Sequence, residues 1–185
     1  RSFAMPTTRP TDSAPNALAA LSALSRGEFI ARLGDIFEHS PWVPERAWAE
    51  RPFASIDALH AAMVAVVDAA SEAEQLALIC AHPELAGKEA AAGTLTAHST
   101  GEQRGAGLDQ CTPDEIVRLS SLNAEYRARF GFPFVIAVKG LTRTQIMDAI
   151  EARLANDRPT EFRACLAQIA RIARFRLDAL PGAAS

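Results

Sequence analysis

Helix-start signals recur along this chain at short intervals, and they constrain its fold more than any other feature. Ser25 with Glu28, Ser71 with Glu74, and Ser99 with Glu102 each stand three residues apart. That is the spacing of a capping box, in which a hydroxyl and a carboxylate satisfy free backbone N–H groups at a helix start. Thr142 with Gln145 has the same form. Thr112-Pro113-Asp114-Glu115 combines a cap, a proline at the first helical position and acids in the first turn. Ser55 and Pro159-Thr160 open two further helices. Helices are therefore expected over 25–39, 55–70, 71–81, 112–130, 142–156 and 159–180, with a short one between Ser99 and Gly105. Pro41-Trp42-Val43-Pro44 reads as an apolar connector, and residues 82–98 as a loop holding at most one helical turn. Residues 132–138 form one continuous apolar run, read as extended and buried. With no second strand to pair it, the expectation is an all-α fold: a single compact bundle of about eight helices, several of them short.

Composition agrees and narrows the class. Aromatic residues are only 6% and alanine is abundant, which suits helix packing better than sheets. With 49% hydrophobic residues in 185, a sizeable core needs no staples. A net charge of -3 gives no general affinity for nucleic acid, and no apolar run approaches a membrane span. Cys80, Cys111 and Cys165 are odd in number and far apart, so buried free thiols in a reducing compartment are expected. Residues 1–20, rich in Pro, Thr, Ser and Ala, read as a mobile tail. Arg1 to Ala4 before Met5 read as an expression remnant, and no apolar leader or peroxisomal C-terminal address stands out. A cytoplasmic bacterial enzyme is the simplest expectation.

Few residues look able to carry chemistry. His82 precedes Pro83, so its backbone leaves the helical region and the imidazole sits at a helix end facing a loop. There it could titrate near neutral pH as an acid or base, or be an ordinary surface histidine at a helix C-terminus. Capping accounts for Ser99 and Glu102, yet a helix start followed by Gln103 and Arg104-Gly105-Ala106-Gly107 is also a good anion site. On the last helix, Phe162, Leu166, Ile169, Ala173, Leu177 and Leu180 form an apolar stripe, and Arg176, seven positions after Ile169, falls on it. Arg163, Arg171 and Arg174 fall at its edge or opposite. An inward guanidinium needs a partner, either an internal carboxylate or a substrate. His39 and His60 read as structural or exposed. His98 and Glu102, four apart, with His82 and Cys80, could make a zinc site, but no tight ligand pair is present. No phosphate loop or nucleophile elbow occurs.

Several segments together resemble one family. They are Phe37-Glu38-His39-Ser40-Pro41-Trp42-Val43, His82-Pro83-Glu84-Leu85-Ala86-Gly87, Ser99-Thr100-Gly101-Glu102-Gln103 with Ala106-Gly107-Leu108, Leu122-Asn123 to Tyr126 with residues 129–136, and residues 169–177. In this order, across about 25–180, they resemble the 2-oxo-4-hydroxy-4-carboxy-5-ureidoimidazoline decarboxylases, which complete the route from urate to (S)-allantoin. The resemblance implies an all-helical, dimeric, cofactor-free enzyme whose domain would span 21–181. It implies that His82 is the catalytic acid–base and Glu102 its companion. Pro83, Ser99, Gln103, Arg176 and the backbone around Phe134, Val135 and Ile136 would bind the small ureidoimidazoline, with no metal. Two alternatives stand beside it. A metal-dependent hydrolase would use His82, His98 and Glu102. A non-catalytic helical interaction domain would pair Arg176 internally and leave no polar pocket around His82.

Overall fold

The computed structural model describes residues 17–183. Among them are ten α-helices and no strand. The helices are α1 (Ala17–Ala23), α2 (Arg26–Leu33), α3 (Trp42–Ala47), α4 (Ile56–Asp68) and α5 (Glu72–Ala81), then α6 (Lys88–Ala92), α7 (Ala97–Gly105), α8 (Pro113–Phe130), α9 (Arg143–Arg153) and α10 (Arg158–Asp178). The all-α expectation is met: eight helices have seven or more residues, and α3 and α6 are shorter. Capping boxes open α2, α5, α8 and α9 at Ser25, Ser71, Thr112 and Thr142, as expected. Helix α10 packs against α4, α5 and α8, and supplies Cys165, Ile169, Ala173 and Leu177 to the core. Phe29, Leu59, Met63, Leu78, Tyr126, Phe132 and Ile146 are fully buried around it.

Four local expectations need correction. Helix α2 ends at Leu33, not near His39. Ile36, Phe37 and Glu38 are all buried, which no single helical face can arrange for three successive residues. Tight turns from Leu33 and Phe37 replace the helix, and His39 takes a left-handed conformation with φ 46°. The apolar connector is instead α3, because Pro41 and Pro44 fall at the N-cap and in the first turn, where a missing N–H loses no helical bond. Helix α7 is capped by Thr96, whose hydroxyl accepts from the Ser99 N–H at 3.2 Å. Ser99 and Glu102 are therefore not a capping box, and His98 lies inside the helix. Finally, Cys80 is exposed and Cys111 half-buried; only Cys165 is a buried thiol. Of the expected tail, residues 17–20 belong to α1 and the rest lies outside the described residues.

Residues 132–138 form no helix and no strand, and all but the half-buried Ile136 are buried. Side chains satisfy their backbone instead. Arg153 donates to the Val135 carbonyl at 2.7 Å, and Gln168 accepts from the Ala137 N–H at 3.0 Å. The segment is thus tied to α9 and α10 and forms one wall beside His82.

Candidate active site

His82 caps α5, with its backbone held extended at ψ 132° ahead of Pro83. Its side chain is only 6% exposed. Nδ1 lies 3.0 Å from the Leu78 carbonyl, which can only accept, so Nδ1 carries the proton. Nε2 is left as a bare lone pair, buried and without a hydrogen-bond partner. Burial pushes the imidazole pKa down to about 4, against the opposing pull of the Leu78 carbonyl and the Glu38 carboxylate. The expectation of titration near neutrality is corrected: desolvation keeps this histidine neutral there.

The His82 ring lines a cavity of about 30 Å³, room for one water. His82, Pro83, Ser99, Glu102, Gln103, Phe134, Val135 and Ile136 all line it. Eight of the nine residues anticipated for the site therefore converge, although they come from three separate stretches of chain. The ninth, Arg176, lines an adjoining chamber of about 410 Å³ together with His98, Lys139 and Phe175. The two spaces share Glu102, Ile136, Val138 and Ile172 as a common wall.

Helical register explains how α7 serves both spaces. With Thr96 as the cap, Ser99 falls inside the first turn and points inward, and Gln103 lies one turn further on the same face. The Gln103 carbonyl accepts from the Ala86 N–H at 2.9 Å. The Asn123 amide donates to the Leu85 carbonyl at 3.0 Å. These two contacts brace the loop after His82 where Ala86 adopts a left-handed φ of 50°, a strained choice for a residue with a Cβ.

Arg176 is 3% exposed, as its place on the stripe requires, and every N–H of its guanidinium is engaged. Nε and Nη2 donate to the two Glu102 oxygens at 2.7 and 3.0 Å, a bidentate fork. Nη2 also reaches Ser99 Oγ at 3.4 Å. Nη1 donates to the Asp35 and Ile36 carbonyls at 3.0 and 3.4 Å, and stands 2.9 Å from Glu38 Oε2 as an ion pair. Glu38 is the residue that sequence reasoning passed over. It is 1% exposed, and its Oε1 accepts from Thr96 Oγ1 and Ser99 Oγ. Burial opposes its charge, but Arg176 and the Thr96 hydroxyl outweigh burial and hold its pKa below the usual glutamate value. The local sequence carried no clear signal, because Glu38 stands between Ile36-Phe37 and the polar His39-Ser40, as an exposed acid could.

The other histidines have plain roles. His60 Nε2 lies 2.7 Å from the Ala170 carbonyl and ties α4 to α10, while His39 is exposed. Among the described residues, no three His, Cys, Asp or Glu side chains stand close enough together to hold a metal ion, so His82, His98 and Glu102 do not form a ligand set. Internal pairing of Arg176 matches what a non-catalytic domain requires. A buried His82 Nε2 without a partner, beside a cavity that Ser99, Glu102 and Gln103 also line, does not.

A model of the OHCU decarboxylase family matches residues 22–178. The chain belongs to this family. A further OHCU decarboxylase relative, the 2-oxo-4-hydroxy-4-carboxy-5-ureidoimidazoline decarboxylase of Halalkalicoccus jeotgali, is 40% identical over 160 residues, covering 86% of this chain and 89% of that one. The uric acid degradation bifunctional protein of Bacillus sp. (strain TB-90) is 44% identical over 164 residues and 87% of this chain. This chain spans only 31% of that protein's length. The crystal structure of an (S)-allantoin synthase matches with a TM-score of 0.67 and 31% identity, over 86% of this chain and 52% of that one. The fold described above is thus shared with part of a solved structure.

Proposed function

We propose that this chain decarboxylates 2-oxo-4-hydroxy-4-carboxy-5-ureidoimidazoline to (S)-allantoin in urate breakdown, without a cofactor. The observation that carries this reading is the neutral His82, whose buried Nε2 has no hydrogen-bond partner and whose ring lines a small cavity one wall away from a larger chamber. Family membership supplies the substrate, and the substrate's own chemistry supplies the electron sink. The carbon that bears the carboxylate also bears a hydroxyl and neighbours a ring C=N bond. When carbon dioxide leaves, the electron pair of the broken C–C bond forms a C=C bond to the neighbouring carbon, and the C=N pair moves onto the ring nitrogen, which takes up a proton from solvent. The product is an ene-ol, which must lose its hydroxyl proton and gain one at the neighbouring carbon.

His82 Nε2 is the base for the hydroxyl proton. Burial makes the imidazolium so formed a strong acid, ready to return its proton to carbon on one face. The ring is too large for the inner cavity, so the substrate spans both spaces and the shared wall yields. Glu102, partly exposed, swings from Arg176, and the guanidinium then receives the substrate carboxylate or a ring carbonyl. Gln103 and Ser99 orient the polar ring, with Pro83, Phe134 and Val135 as apolar walls. The Ile136 N–H, which has no partner among the described residues, is free to donate.

The test is to generate the unstable substrate from urate in situ and follow its decay and the product's circular dichroism. Accelerated decay with a lasting (S) signal is expected; decay at the uncatalysed rate to racemic allantoin would refute the activity. On the same family likeness, the active form is a cytoplasmic homodimer built from the domain 21–181. No helix among the described residues is long and apolar enough to cross a membrane. Light scattering of the purified chain checks the dimer.

A further inference from the structure

Glu38 stands on no helix, yet three parts of the site depend on its carboxylate. The Thr96 hydroxyl already accepts from the Ser99 N–H, so its single proton is free for Glu38 Oε1, reached at 2.7 Å. The Ser99 hydroxyl gives its own single proton to the same oxygen at 3.1 Å. Ser99 therefore has no proton left for a ligand, and as a residue lining the inner cavity it can meet one there only as an acceptor. It can accept from a substrate N–H or hydroxyl but cannot donate to a carboxylate. The second carboxylate oxygen lies 2.9 Å from Arg176 Nη1, so the guanidinium keeps a buried counter-ion when Glu102 moves away. Without it, a displaced Glu102 would leave Arg176 an unpaired buried charge, which is strongly disfavoured.

We infer that Glu38 is a positioning residue for the decarboxylation: it fixes Ser99 as an acceptor in the cavity and holds Arg176 in place while Glu102 exchanges partners. This rests on the activity proposed above. Glu38 does not itself line the cavity, so it acts through Ser99 and Arg176. The ligand class that follows is a heterocycle presenting an N–H or O–H towards Ser99 and an anionic or carbonyl group towards Arg176.

Glu38→Gln and Glu38→Asp test this against the wild-type enzyme. The glutamine variant keeps the size but loses the charge, and one of its amide faces must now present N–H groups to donors. A fall in kcat of about 10²-fold is expected, the scale of a small misplacement at the reacting centre. The charged groups that face His82 are Glu38, Arg176 and His39, with Glu102 across the cavity. Loss of the Glu38 charge removes an attraction that favours the imidazolium, so the acid limb of the pH–rate profile should move to lower pH. Glu38→Asp keeps the charge but loses reach, so kcat should fall with that limb unmoved. Ser99→Ala should cost much less in the Glu38→Gln background than in the wild type, because both act on one hydrogen bond. A folded Glu38→Gln enzyme with wild-type kcat, or losses from Glu38→Gln and Ser99→Ala that simply multiply, would overturn the inference. Should Glu38→Gln fail to fold, Glu38→Asp decides alone: wild-type kcat in it overturns the assignment. A wild-type chain with no activity on the ureidoimidazoline refutes the activity itself, whereas an active wild type with indifferent Glu38 variants refutes only the role of Glu38.

Discussion

Two buried arginine–carboxylate clusters stand among the described residues, and they differ in one instructive way. Near the end of α8, Glu161 is fully buried and accepts from Tyr126 Oη at 2.6 Å, Arg153 Nε at 2.7 Å and Asn156 Nδ2 at 3.0 Å. Arg153 continues to the Val135 carbonyl and lies over the Phe134 ring. Burial drives the Tyr126 hydroxyl pKa well up, so it stays a neutral donor. The other cluster joins Glu38, Arg176 and Glu102, but it borders a cavity with an unpartnered His82 Nε2. Buried charge alone therefore does not mark a site. A satisfied network fixes structure, while an orphaned polar atom beside a cavity waits for a ligand.

Substitutions in the two clusters should separate these roles. The largest effect is expected for His82→Asn. An amide cannot titrate as the imidazole does, so turnover should fall by about 10²–10⁴-fold while the fold survives. Free solution protonates either face of the ene-ol, so circular dichroism should then show racemic allantoin. A strong (S) signal at the wild-type rate would remove His82 from the mechanism. Glu161→Gln should act in the opposite sense, costing about 3 kcal/mol of stability, because it strands Arg153 beside a neutral amide. Denaturant unfolding with a parallel assay below the transition checks it, and the contrast fails should turnover per folded molecule drop as far as stability.

Glu102→Gln sharpens the comparison from within the cluster beside the cavity. Its side chain is 31% exposed and the amide oxygen can still accept from Arg176, so the melting temperature should change little. Turnover should fall by about 10²-fold, because a neutral amide beside Arg176 changes the charge that the substrate meets when the two exchange partners. A large fall in melting temperature at near-normal turnover would assign Glu102 to structure. The smallest effect concerns pH. His82 stays neutral in the folded chain down to about pH 4, while in the unfolded chain it gains a proton below about 6.5. Its contribution to stability is thus complete above about pH 6.5 and is lost as pH falls towards 4. Urea titrations over that range should show a shallower acid decline for His82→Asn; identical slopes would mean the histidine is not held neutral by burial.

Much of this could be read from the chain itself. Capping boxes at Ser25, Ser71, Thr112 and Thr142 are local chemistry, since hydroxyl, carboxylate and orphan N–H groups lie within one turn, and they opened helices where expected. The stripe on α10 turned Arg176 inward through helical period alone, and the residues around Ser99 and His82 were legible as motifs. Tertiary structure decided what period and spacing leave open. It moved the α7 cap from Ser99 to Thr96, because a Thr96 hydroxyl between the helix start and Glu38 satisfies two partners at once. It ended α2 at Leu33, because three successive residues had to be buried. It also set the state of His82 and the partners of Arg176. A pKa depends on how much water is excluded, and an ion pair joins residues as distant as 38 and 176. Local sequence encodes hydrogen bonds within a turn, whereas desolvation and long-range pairing exist only once the chain has closed upon itself.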